Sequence, residues 1–350
     1  MMSEINSYDE WSQLREVIVG IATNAKYPKN DLGMNANIAF DEKRLPKTDV
    51  DVPNIPEYII EETNQDLELF VSELKKLEVR VKRPKPVDTS EVIKTSCWET
   101  TQYFNYCPRD ILLVIGDMII ESPCVYRSRC YETLSYREIL LDYMKSGSRW
   151  IAAPRPRLRD DDYITTQKCP TVLSDSDPIF DAANIIRAGR DIFFLISNSG
   201  NELGYEWLKN LLGDEYRVHP LRSVYSGTHI DTTIAFLRPG LILANPERVN
   251  VENLPAILKK WDIVYAPKMR EIKYSDLPQL SSAWLGMNLF MINPNLAVVD
   301  ADQIELIKLL ERRQINVLPL RLRHGRLLEG GFHCVTLDIN REGEKEDYFN

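Results

Sequence analysis

One recurring order of segments limits the fold of this chain more than any other feature: an apolar strand pair, an amphipathic helix, then a strand ending near proline or a polar turn. The repeat is one of pattern, with little identity between copies. In the second copy Ile111-Leu-Leu-Val-Ile115 and Met118-Ile-Ile-Glu121 flank Gly116-Asp117, a hairpin signal, and a helix over 130–146 and a strand over 149–153 follow. The third runs from Asn184 through the Gly189 turn to Ile192–Ile196, a helix over 202–212 and a strand over 216–220. The fourth has strands at 230–237 and 241–244, a helix over 251–260 and a strand over 262–265; the fifth has strands at 289–292 and 296–299, a helix over 302–313 and a strand over 315–320. The first copy is split. Its strand over 16–20, helix over 57–77 and strand over 79–82 stand near the start of the chain, and its missing hairpin partner is the run Cys334–Ile339. Each helix repeats apolar residues every three or four positions, so each buries one face against strands. The expectation is an α/β fold of five modules over 1–350, a single domain closed into a wheel by its own termini, with helices outside a ring of strands.

In a closed wheel, residues just before or at the start of each inner strand point towards the axis. Five segments occupy that place: Ser96-Cys-Trp-Glu99, Phe180-Asp-Ala-Ala-Asn184, Thr228-His-Ile-Asp231, Leu280-Ser-Ser-Ala-Trp284 and Phe332-His-Cys-Val335. Among their side chains are a thiol, an imidazole and two carboxylates that suit a guanidinium. That planar cation needs carboxylates to pair its charge and accept its hydrogen bonds, a need that Asp181 and Asp231 meet. Its central carbon is a poor electrophile, and a thiolate is the side chain best suited to attack it near neutral pH. Cys334 is the candidate nucleophile. A leaving amine must gain a proton and an incoming amine must lose one; His229 can serve both steps, with Asp181 orienting it.

Taken singly, these residues have plainer readings. Cys334 in an apolar strand reads as a core thiol, His229 beside Asp231 as a satisfied pair, and Asp181 as a helix cap. Ser281 and Ser282 read as turn residues. His333, next to Cys334 on a strand, would point to the opposite face and reads as structural. The repeat, by placing the segments on one axis, favours the joint reading.

The formal charge of −9 argues against a nucleic-acid partner, which needs a concentrated positive surface. The basic runs Arg155–Arg159 and Arg321–Arg326 read as solvated edges. The start of the chain lacks a secretory pattern and no apolar run is long enough to span a membrane, so the expected place is the cytoplasm. The six cysteines, at 97, 107, 124, 130, 169 and 334, contain no Cys-x-x-Cys pair, and the four histidines no i,i+4 pair. Free thiols are expected, and neither a metal nor a disulfide scaffold.

The runs Leu14-Arg-Glu-Val-Ile-Val-Gly20, Pro108-Arg-Asp110, Ile119-Ile-Glu-Ser-Pro123, Phe180-Asp-Ala-Ala-Asn184, His229-Ile-Asp231, Gly286-Met-Asn288 and Gly330-Gly-Phe-His-Cys334 resemble those of the arginine-dependent amidinotransferases. They span nearly the whole chain in order, and the similarity is greatest to the inosamine-phosphate branch, that of streptomycin biosynthesis. The resemblance implies a five-bladed pseudosymmetric α/β propeller and a ping-pong reaction in which L-arginine enters, L-ornithine leaves and an acceptor amine takes the amidino group. By motif, Cys334 is the nucleophile, His229 the general acid/base, Asp181 its partner and Asp231 the holder of the donor guanidinium. Arg248 binds the donor carboxylate with help from Ser281 and Ser282. No cofactor is implied, the partners are small-molecule substrates, and a homodimer stays open. The family has an acid where this chain has Cys97, so one contact to arginine is expected to be missing. Two rivals remain: a hydrolase or deiminase on the same fold, and a degenerate, non-catalytic binding subunit. The acceptor stays open, with a secondary-metabolite amine favoured.

Overall fold

The computed structural model describes residues 4–41, 54–164, 172–277 and 279–350; Cys169 lies outside them. Five three-stranded sheets share one topology, an antiparallel hairpin whose second strand pairs in parallel with a third. In the first sheet Leu14–Val19 lies between Thr336–Arg341 and Arg80–Lys82, so strands from near both ends of the chain pair. The second joins Leu112–Ile115, Met118–Glu121 and Arg149–Ala152. The third joins Ile185–Ala188, Asp191–Leu195 and Arg217–Leu221. The fourth joins Ile234–Arg238, Leu241–Ala244 and Asp262–Tyr265, and the fifth Phe290–Asn293, Leu296–Asp300 and Asn316–Leu320. Hairpin strands such as Leu112–Ile115 and Asp191–Leu195 are buried throughout, which is why they read as continuous apolar runs and not as alternating ones.

Sheets share apolar clusters with one another. Ile18 and Leu337 of the first pack with Leu112 and Ile119 of the second, and Ile115 and Ile120 of the second with Ile185 and Ile192 of the third. Phe193 of the third, Ile234 of the fourth and Ala297 of the fifth share one cluster, and Val298 of the fifth shares another with Val17 and Val19 of the first. Helices Glu57–Lys76, Arg137–Lys145, Glu202–Leu212 and Ile304–Arg312 each bury one face, as their apolar spacing requires.

Several local expectations fail: of the helix expected over 130–146 only Arg137–Lys145 is α-helical, after a 3-10 stretch, Glu132–Tyr136, and the strand expected over 230–237 starts at Ile234. The segment 251–260 forms turns ending in a 3-10 stretch, Leu258–Lys260, where a helix was expected. Pro255 has no N–H to give, and Asn250 and Asn253 accept backbone N–H bonds with their side chains, a local alternative to the helix. The run Cys334–Ile339 is not all strand: 332–335 form a turn and the strand starts at Thr336. Arg326 is not a solvated edge; it is buried and donates to the carbonyls of Arg270, Ile272 and Ala283. A helix not foreseen, Leu32–Asp41, stands beside the cavity described next.

Candidate active site at Cys334

The loops entering the hairpins converge on one cavity, open to solvent, that encloses about 640 Å³ of empty space including its mouth. Cys334, His229, Asp181, Asp231, Arg248, Ser281 and Ser282 all line it. Cys334 sits on its turn against Asn288, whose Oδ1 accepts the backbone N–H groups of His333 and Cys334 at 2.9 and 3.1 Å. The Asn288 amide nitrogen donates to Cys334 Sγ at 3.2 Å, and on the other side Sγ lies 3.2 Å from Asp231 Oδ2. Glycine is required at 330: a Cβ there would come within 2.4 Å of Cys107 Sγ. A hydrogen bond from Cys107 favours the Cys334 thiolate, but burial and the charges of Asp231 and Asp110 outweigh it and push the thiol up to about 11.

His229 adopts a left-handed backbone, φ 61°, which turns its ring towards the carboxylates. Its Nε2 lies 3.0 Å from Asp181 Oδ2 and its Nδ1 3.6 Å from Asp110 Oδ1. Asp181 is itself fixed, accepting the Val125 N–H at 2.8 Å. Burial works against the charged imidazole, but Asp110, Asp181 and Asp231 overcome it and raise His229 to about 9. Burial also opposes the charge on Asp231, yet His333 at 3.1 Å, with His229 and the Cys334 thiol, holds its carboxyl well below the usual range. At neutral pH the set is therefore a thiol, an imidazolium and a carboxylate. Arg248 is placed beside them: Nη1 donates to Thr232 Oγ1 and Thr233 Oγ1 at 2.8 and 2.9 Å, and its guanidinium lies 3.7 Å from the Tyr225 ring centroid.

Cys97 is not part of this arrangement. It is exposed on the turn between Val92–Lys94 and Glu99–Thr101 and does not line the cavity. The second sheet contributes Asp110 instead, two residues before its first strand, and Asp110 Oδ1 is buried without a hydrogen-bond partner. Spacing could have found it, since Asp231 and Cys334 stand three and two residues before theirs. His333 also departs from expectation: on a turn its side chain need not oppose that of Cys334, and both reach Asp231. Glu329 and Asn37 line the cavity too, and no spacing rule pointed to them. Among the described residues, no group of three His, Cys, Asp or Glu side chains is set to hold a metal ion, and no helix is long and apolar enough to cross a membrane.

No protein-family model matches the chain. Individual proteins do. The chain is 46% identical over 348 residues to inosamine-phosphate amidinotransferase 1 of Streptomyces griseus, covering 99% of this chain and 100% of that one. It is 34% identical over 355 residues to the L-arginine:L-lysine amidinotransferase of Pseudomonas savastanoi pv. phaseolicola, covering 99% and 97%. Among solved structures, SxtG, an amidinotransferase of the saxitoxin pathway of Microseira wollei, superposes with a TM-score of 0.90 at 37% identity, over 99% of this chain and 100% of the other.

Proposed function

The chain belongs to the amidinotransferase family and is an enzyme that transfers amidino groups, and we propose that it draws the group from L-arginine through an amidino-cysteine on Cys334 and gives it to an amine of secondary metabolism. The observation that carries this reading is the contact set of one thiol: Cys334 Sγ at 3.2 Å from Asp231, in a cavity that also holds the His229–Asp181 pair. Asp231, with the unsatisfied Asp110 Oδ1, supplies acceptors for the donor guanidinium, and Arg248, with Ser281 and Ser282, supplies donors for its carboxylate. The five sheets, with their shared apolar clusters and their closing strands from near both ends of the chain, support a five-bladed propeller that is one domain over 1–350.

In the first half-reaction the arriving cation offsets the two negative charges that hold the thiol up, and Cys334 loses its proton to solvent. The sulfur attacks the guanidinium carbon and forms a C–S bond. The C–N bond to the ornithine nitrogen then breaks with its electron pair on nitrogen, and the His229 imidazolium supplies the proton. In the second half-reaction the acceptor nitrogen attacks the amidino carbon, His229 takes the surplus proton, and the C–S bond breaks to return the thiolate. Purified enzyme given arginine and a panel of amines should release ornithine and one guanidino product in equal amounts, read by mass spectrometry. Citrulline or urea in place of a guanidino product would overturn the proposal.

The pH profile follows from the two groups. The reactive form, thiolate with imidazolium, carries one proton fewer than the thiol–imidazolium that dominates below pH 9, so loading by arginine rises about tenfold per pH unit there. Between about 9 and 11 the dominant thiol–imidazole form carries the same number of protons as the reactive form, and the rate levels. Single-turnover loading at low arginine checks this. A rate independent of pH from 6 to 9 would contradict the assignment.

A further inference from the structure

Glu329 lies five residues before Cys334, on the loop that carries it, and lines the same cavity. Its carboxylate is fixed by neutral donors: Tyr103 OH at 3.1 Å on one oxygen, and Tyr126 OH at 3.2 Å with the Asn37 amide at 3.4 Å on the other. Among the described residues no lysine, arginine or histidine forms an ion pair with it. The backbone is strained to hold it: Glu329 has φ 57°, in the left-handed region that a side-chain-bearing residue seldom adopts and that collects at functional positions. The donors are themselves tied to the site. Asn37 bonds to Tyr126 OH at 2.7 Å and to the Thr228 hydroxyl, one residue before His229, while Val125, the neighbour of Tyr126, holds Asp181.

Three neutral hydrogen bonds orient a carboxylate without neutralising it. A half-buried carboxylate facing a ligand cavity in this way is matched by a cation and opposes an anion. The donor's guanidinium and carboxylate have partners in Asp231, Asp110 and Arg248; the cations left for Glu329 are the donor's α-ammonium and an ammonium of the second substrate, and loading of Glu329→Gln by arginine tells the two apart. Resting on the reading that Cys334 carries the amidino group between two amines, we propose that Glu329 is a specificity-determining residue that receives a second ammonium group of the acceptor, so that the acceptor is a compound with two amines. Burial supports this role: it pushes the Glu329 carboxyl up to about 7 against the hydrogen bonds of the two phenols, and an ammonium brought beside it would release the proton and strengthen the pair.

The test is discharge of enzyme already loaded from arginine, at pH 8, by α,ω-diamines of two to six carbons and by propylamine and butylamine. The best diamine should discharge wild-type enzyme about tenfold or more faster than the monoamines, the worth of one charge-assisted contact at a half-exposed site. Glu329→Gln should bring that ratio close to one, and Glu329→Asp, which keeps the charge but retracts it, should leave an intermediate ratio or shift the best chain length. Equal discharge by both kinds of amine, discharge by neither, or an unchanged ratio in Glu329→Gln would overturn the proposal. So would a Glu329→Gln enzyme that cannot be loaded, because the residue would then serve the donor. If wild-type enzyme does not load from arginine, the covalent mechanism fails instead, which separates the two ideas.

Discussion

Replacing His229 with asparagine should lower turnover by about 10²–10⁴-fold, the usual worth of a positioned acid–base group. Asparagine tolerates the left-handed backbone that His229 adopts at φ 61°, so the substitution removes the ring without adding strain. The carboxylates of Asp110 and Asp181 that hold the imidazolium would remain. What is lost is the proton delivered to the leaving ornithine nitrogen and the acceptance of one from the incoming amine, so both half-reactions should slow together. His219 and His324 are the comparison. His219 pairs with Asp191 at 2.7 Å and His324 with Glu62 at 2.6 Å, and neither lines the cavity. Asparagine at either position should leave the specific activity of folded enzyme within a few-fold of wild type, measured as ornithine release. Equal losses at all three positions would mean that the His229–Asp181 pair is structural.

The second large effect concerns stability. Asp338 is fully buried and accepts from three arginines: Arg109 at 2.6 Å, Arg187 at 2.6 Å and Arg341 at 2.8 Å. These guanidiniums also reach the carbonyls of His333, Val114 and Met291, so the cluster ties the second, third and fifth sheets to the strand that follows Cys334. Asp338→Ala would leave three buried cations, of which Arg187 keeps Glu10 at 2.8 Å and Arg109 has it only at 3.9 Å. Removing one partner of a buried ion pair costs about 3–5 kcal/mol, and the loss here should reach at least that range. Urea unfolding at pH 7 reads it. The Arg15–Glu342 pair, in which both side chains are exposed, is the control, since deleting such a pair costs under about 1 kcal/mol. The sign with pH is fixed: the three arginines hold the Asp338 carboxyl well below the ordinary range against the effect of burial, so its contribution is present above the unfolded carboxylate pKa and is lost only as pH falls through the folded one. A loss below 1 kcal/mol in Asp338→Ala would show that the hub is not what holds these sheets together.

Much of this architecture was legible because the hairpins declare themselves twice, by apolar runs buried on both faces and by turns such as Gly116-Asp117 and Gly189 at positive φ. The helix expected over 251–260 was misread because apolar spacing was weighed without Pro255 and its flanking asparagines. In the site, Cys334, His229, Asp181 and Asp231 could be picked out because each precedes the first strand of a hairpin. The same rule applied strictly would have chosen Asp110 and passed over Cys97, which stands fifteen residues before Leu112. His333 was placed on the wrong face because a strand was assumed where the chain turns. Glu329 and Asn37 could not be found from sequence: their place is set by contacts with Tyr103, Tyr126 and Thr228, and no local pattern encodes such contacts.

The central claim is that Cys334 carries the amidino group, and intact-mass analysis of enzyme given arginine alone tests it most directly, because the first half-reaction needs no acceptor. Acid-quenched wild-type enzyme should gain the mass of one amidino group, mapped by peptide analysis to Cys334, while ornithine appears once per active site. Addition of an accepted amine should then remove the mass. An active enzyme that never shows the adduct, or an adduct that persists in Cys334→Ala, would contradict the account.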